Sequence, residues 1–185
     1  SKKYPAVLVD SNLKELVPYK AQGWGNMMYS KMKIIFEELH KHKYVCITDG
    51  DIVFNNSKFM EYCFDLQVSK NYDIIFQNQA HKNGRSKLCA GFVFIKSNDL
   101  TKKLYNINEI NKVHTEQGCL TGRIKNIRNL KIGYLPLNLF PNGRFFRENH
   151  LNLSPYMIHF NWTTTSLKQG HMKQWNKWYL GCENV

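Results

Sequence analysis

The chain is predicted to be an α/β protein, an α/β/α sandwich around a mainly parallel central sheet. Three observations predict this. Short apolar, β-branched runs at residues 44–48, 73–76, 89–95, 131–135 and 157–160 have the length and make-up of buried strands. Segments with helical periodicity fall between them, as in βαβ chains. In one of these segments Met28, Met32, Ile35, Phe36 and Leu39 recur at helical spacing, an apolar stripe that a sheet would cover.

Taken in order, residues 4–9 are a first strand that ends in the turn chemistry of Asp10-Ser11-Asn12. Residues 13–19 form a short helix stopped near Pro18. Residues 22–26, with Gly23 and Gly25, form a loop before a helix over 28–40. Lys31 and Lys33 then lie near that helix's start, where the dipole disfavours cations; a bound anion or simple solvent exposure would each account for them. A strand begins at Tyr44 and stops on Asp49. Residues 58–66 are helical, 73–76 a buried strand, and 81–87 a mobile basic loop. The core strand 89–95 contains Gly91, where a ligand or another backbone can come close. Asn98 or Asp99 caps a helix to about 106, and Thr115 caps another through 124. A strand at 131–135, a loop at 136–147, a strand at 157–160 and a helix over 166–179 complete the order.

At 185 residues one domain is the default, long enough to bury a sizeable core. With 43% hydrophobic and 14% aromatic residues the chain is globular, not disordered. No apolar run approaches the roughly 20 residues that span a bilayer. The net charge of +12 favours anionic partners, nucleic acid or a phosphorylated small molecule, although the basic residues form no single stripe and no nucleic-acid-binding module is recognisable. The five cysteines form no C-x-x-C pair, which argues against structural zinc. Their odd number favours a reducing compartment such as the cytoplasm; the Golgi lumen fits if an N-terminal anchor has been removed. Three sequons, at Asn55, Asn152 and Asn161, decide nothing alone.

The chemistry concentrates around Asp49-Gly50-Asp51. An unpaired carboxylate cannot stay in an apolar strand, so both acids emerge at the strand's end or meet cations. Side chains at i and i+2 of extended chain point the same way, and two carboxylates on one side make a hard-oxygen site for Mn²⁺ or Mg²⁺. The same tripeptide is also an ordinary acidic turn. His159, beside an apolar strand, is a core histidine unless those carboxylates share a cation with it. Lys168, Gly170 and Lys173 follow, suited to a diphosphate beside a metal or to an exposed helix face. Glu116-Gln117 opens a helix, where it can stabilise a cationic transition state or simply satisfy the helix dipole.

In this order the pieces resemble glycosyltransferases of the GT-A fold, of the nucleotide-diphospho-sugar transferase type. The resemblance rests on Lys31, Asp49-Gly50-Asp51, Ala90-Gly91-Phe92, Glu116-Gln117, Leu135-Pro136 with Phe140-Pro141-Asn142-Gly143, and His159-Phe160-Asn161-Trp162 with Lys168 and Trp178. It implies a single GT-A-like domain over 1–185. That fold usually places two strands before the Lys-bearing helix; one is legible here, so an N-terminal strand is missing or residues 4–12 serve in its place. It further implies a Mn²⁺ (or Mg²⁺) site made by Asp49, Asp51 and His159. The donor is then a UDP-sugar, with Lys31, Asp49, Gly91, Lys168 and Gly170 around it and Glu116-Gln117 beside the anomeric carbon. The acceptor would be a glycan or glycoprotein, the anomeric configuration would be retained, and no nucleic acid would be bound. The compact, Lys- and Asn-rich make-up also fits the transferases of large algal or protist viruses. Two other classes compete: a basic nucleic-acid-binding module, and a catalytically silent lectin-like domain that keeps the fold.

Overall fold

A computed structural model describes residues 22–79, 87–110 and 115–179. Along the described chain run α1 (Trp24–Lys41), β1 (Tyr44–Thr48), β2 (Ile52–Phe54), α2 (Phe59–Lys70), β3 (Ile74–Asn78) and β4 (Leu88–Lys96). Then follow α3 (Asp99–Tyr105), α4 (Glu116–Ile124), β5 (Ile132–Leu135), α5 (Gly143–Asn149), β6 (Met157–His159) and α6 (Thr165–Gln174). The strand and helix expected at 4–9 and 13–19 fall outside the described residues, as does nearly all of the loop expected at 81–87.

The sheet is ordered β1-β4-β3-β5. Strand β4 pairs antiparallel with both β1 and β3, and β3 pairs parallel with β5. Three strands therefore point one way and β4 runs against them. The central sheet is mixed, where the sequence led us to expect mainly parallel pairing. Strand direction leaves no trace in a run buried on both faces, and β4 is buried from Leu88 to Ile95.

Both faces are covered. On one, Met32, Ile35 and Leu39 of α1, Leu104 and Tyr105 of α3 and Leu120 of α4 pack on Val45, Ile74, Phe76, Val93 and Ile95. On the other, Met60 and Cys63 of α2 join Phe140 and Met157 against Ile75, Phe92 and Phe94. The alternation of Ile74 and Phe76 against Ile75 is the period-2 signature of a strand sandwiched between layers.

Two irregularities prepare the site. The β3–β4 register shifts between Phe76 and Gln77: Phe76 faces Val93, but Gln77 already faces Cys89. Such bulges re-aim side chains. On the other edge of β4 the β1 ladder runs one residue further, Asp49 N donating to Gly91 O at 2.7 Å. Separately, β2 and β6 form a two-stranded antiparallel ribbon in which Ile52 faces His159. A third apolar cluster, Val53, Phe146, Ile158, Phe160 and Met172, fastens α5 and α6 to that ribbon.

Several boundaries differ from the sequence reading. Helix α1 begins at Trp24, so Trp24–Asn26 are helical rather than loop; Gly23 (φ 88°) forms its left-handed N-cap. Lys31 consequently lies two turns inside the helix, away from the positive end of the dipole. Residues 143–149, expected in a loop, form α5, whose N-terminus is capped by the Asn142 side chain accepting from Phe145 N. Helix α2 continues to Lys70 and stops on left-handed Asn71, and α6 ends at Gln174. The expected caps are present: Asn98 makes a reciprocal capping box with Thr101, and Thr115 accepts from Gly118 N.

Candidate active site

Asp49 directly follows β1, Asp51 directly precedes β2, and His159 ends β6 opposite Ile52. The turn at Gly50 and the ribbon thus fold three separated side chains together. One ligand atom from each of Asp49, Asp51 and His159 lies within 4.8 Å of the others. His159 Nε2 stands 3.2 Å from Asp51 Oδ1. Gly91 lies beneath them: a Cβ there would overlap His159 Cε1 and come to 2.8 Å from Asp49 Oδ2. Only glycine leaves this space open.

Two lysines enter from opposite sides. Lys31 donates to Asp49 Oδ1 at 2.7 Å and to Ala90 O at 3.3 Å, and pairs with Glu116 Oε2 at 2.7 Å. Lys168, from α6, contacts Asp51 Oδ2 at 2.6 Å. Glu116 is 3% exposed. Gln117 is turned to another partner, its Nε2 donating to Gln79 Oε1 at 2.7 Å. Gly170 is exposed, and a Cβ there would meet nothing within 4 Å.

The protonation of the cluster follows from burial set against charge. Burial disfavours the Lys31 ammonium, but Glu116 and Asp49 outweigh it and hold that group above the ordinary lysine range. Burial likewise opposes ionised Asp51, yet hydrogen bonds and charge from His159 and Lys168 keep its carboxyl well below the ordinary range. Burial pulls the His159 imidazole down, while Asp51 and Cys89 lift it, for a net rise to about 9. Glu116 is pushed up by burial, with Lys31 opposing. Three carboxylates are thus balanced by three cations when His159 is protonated.

One residue that supports the cluster escaped the sequence reading. Gln77, fully buried, donates its Nε2 to Phe140 O (3.2 Å) and Pro141 O (3.1 Å). That orientation leaves Oε1 as an acceptor, 2.6 Å from His159 Nδ1. Nδ1 must then carry a proton, and in the neutral ring Nε2 offers its lone pair toward Asp51. A signal existed: a glutamine next to Ile74-Ile75-Phe76 in a core strand needs a buried polar partner. Asn161 was quoted only as part of a motif and a sequon. Its Oδ1 accepts from Gly143 N at 2.9 Å and its Nδ2 reaches Cys89 Sγ at 3.6 Å, so its amide serves the fold.

The donor set fits a hard divalent cation. Two carboxylates and one imidazole converge, the imidazole's far nitrogen is fixed by Gln77, and Gly91 keeps the space clear. The flanking lysines suit a polyanion next to such an ion.

Comparison with known proteins agrees with this arrangement. The model of the nucleotide-diphospho-sugar transferase family matches residues 2–173. A UDP-galactose:fucoside alpha-3-galactosyltransferase of Dictyostelium discoideum is 25% identical over 193 residues, which cover 88% of this chain. The match takes in 29% of that relative, so the chain spans less than a third of its length. Among solved structures, a glycosyltransferase involved in glycosylation of the major capsid of PBCV-1 shares the fold, with a TM-score of 0.61 at 13% identity. That likeness covers 89% of this chain and 81% of the other.

Proposed function

The chain belongs to the nucleotide-diphospho-sugar transferase family, and on that premise we propose that it transfers a sugar from a UDP-sugar to a glycan or glycoprotein acceptor, with a divalent metal and with retention of configuration. The observation that carries the metal-dependent part is the convergence of Asp49, Asp51 and His159. The UDP donor is supported by the name of the Dictyostelium relative, a UDP-galactose-dependent enzyme. Retention is supported by the late histidine and the acid–Gln pair, which resemble those of retaining transferases. We read residues 1–185 as one transferase domain, in keeping with the family match over most of the chain.

Asp49, Asp51 and neutral His159 would hold Mn²⁺ or Mg²⁺, whose chemistry when bound is to neutralise charge on a departing diphosphate. The residues of the chain do the rest. Lys168 now neutralises Asp51; with that carboxylate engaged by a metal, its ammonium is available to the leaving phosphate. Lys31 has its three protons committed to Asp49, Glu116 and Ala90 O, so its role here is to hold the carboxylates in place. Gln117 keeps its Oε1 for a developing oxocarbenium charge while Gln79 holds its nitrogen. Glu116, buried against Lys31, orients that lysine and starts the helix that presents Gln117.

Calorimetry with UDP tests this reading. Binding should require Mn²⁺ and disappear in chelator, and Asp51→Ala should abolish it. Equal affinity with and without metal, or no affinity in either case, refutes it.

A further inference from the structure

Among the described residues four non-glycines have a positive φ: Asn71, Asn129, Asn176 and Trp162. Asparagine tolerates this region, since its short side chain bonds locally; a bulky residue there is an outlier held against its own steric preference. Trp162 sits at φ 59°. It is also 52% exposed, whereas Trp24, Trp175 and Trp178 are all half-buried. Burial of the ring therefore does not offset the strain.

The surroundings enforce this conformation. Arg147 Nη2 donates to Trp162 O at 2.9 Å. The preceding residues are clamped, Phe160 N to Asp51 O at 2.9 Å and the Asn161 side chain to Gly143 N. The segment between His159 and Lys168 leaves one side of Asp51 and returns to the other. Three residues of extended chain reach at most about 11 Å, so Trp162 cannot stand farther than that from His159 along the backbone. Strain that the fold maintains, on an exposed aromatic ring beside a reaction centre, is the pattern expected of a functional position.

We propose that Trp162 is a platform for the acceptor: a pyranose ring lays its C–H face on the indole, which sets the acceptor beside the Asp49–Asp51–His159 cluster. The inference rests on the transferase reading. A sugar ring has one apolar face and a polar rim, and a flat, rigid, half-exposed indole gives it contact area at little cost in side-chain entropy. Helix α6, which follows, carries exposed Leu167 next to Lys168, an apolar neighbour to the phosphate-facing side.

The test compares wild type, Trp162→Asn and Trp162→Phe. Asparagine suits the left-handed backbone, so W162N should melt no lower than wild type; phenylalanine keeps a ring. A panel of methyl glycosides (fucoside, galactoside, glucoside, mannoside and xyloside) is titrated by saturation-transfer NMR, with and without UDP and Mn²⁺. At least one glycoside should bind wild type, bind W162N at least tenfold more weakly, and bind W162F within about threefold of wild type. UDP–Mn²⁺ affinity should be unchanged in both variants. No glycoside binding to wild type, or binding undiminished in W162N, overturns the platform. A tenfold loss of UDP affinity in W162N also overturns it, by placing the ring on the nucleoside. Failure of UDP to bind wild type counts against the donor reading, while the arm without nucleotide still judges Trp162.

Discussion

Two lysines, both partly exposed at their side chains, pair with carboxylates in one site, yet they stand in different situations. Lys31 (22% exposed) faces two carboxylates and a carbonyl, which use all three of its protons. Lys168 (29% exposed) has one carboxylate, Asp51, which is also the carboxylate nearest His159. The first is a fixture that holds Glu116 and Asp49 in place. The second is a counter-ion that a metal can displace. Charge and residue type are the same; the number of committed acceptors separates scaffold from machinery.

The contrast is open to attack by substitution. The largest effect should come from Lys31→Ala, which strands the buried Glu116 carboxylate; losing one partner of a buried pair costs about 3–5 kcal/mol. Urea unfolding at pH 7 measures it, and Lys31→Ala with Glu116→Gln should recover part of the loss. A destabilisation under 1 kcal/mol would mean that Lys31 is no more fixed than Lys168.

Next comes pH. His159 is raised in the folded protein from about 6.5 to about 9. Its contribution is therefore complete below pH 6.5 and is lost as pH rises from there through 9. A rise of that size corresponds to about 3 kcal/mol. Metal-free wild type should lose roughly that much stability relative to His159→Asn between pH 6 and pH 9.5. Parallel curves would place the imidazole outside the influence of Asp51.

A smaller effect is expected behind the cluster. Gln77→Leu removes the acceptor that fixes the His159 tautomer, and loss of such support typically lowers metal affinity 10–100-fold. Mn²⁺ titration followed by electron paramagnetic resonance would detect it, and ¹⁵N NMR should show both imidazole tautomers populated. The smallest stability change belongs to Lys168→Ala, about 1 kcal/mol, because this partly exposed lysine leaves Asp51 with His159 as a remaining partner. The same variant should nevertheless lose turnover about 10²–10³-fold. A large stability loss with turnover intact would reverse the roles assigned to the two lysines.

The candidate ligand residues were legible because their signal is local. Acids closing an apolar strand cannot be buried alone, and a late histidine with downstream lysine completes the set. Asp49, Asp51, His159, Lys168 and Glu116, each singled out in the sequence, lie in one neighbourhood of the fold. What was not legible depends on registers and directions. Gln77 reaches His159 only because a bulge offsets β3 from β4 and a ribbon delivers the histidine from 82 residues away. Strand β4 is antiparallel to its neighbours, which its uniformly apolar sequence does not encode. Lys31 was expected at a helix start because glycines flank Trp24; the structure lets Gly25 into the first turn and moves the start back. Helix α5, seven residues beginning on glycine, is too short for periodicity to reveal.

Everything converges on a cation held between two acids and one imidazole. A crystal soaked with UDP and Mn²⁺, its anomalous difference map phased on the protein, tests this most directly. The account predicts one manganese peak bounded by Asp49, Asp51 and His159 Nε2, with the diphosphate on its open side and Lys168 moved off Asp51. A manganese peak elsewhere, or ordered UDP with Lys168 still on Asp51 and no metal between the acids, would contradict it.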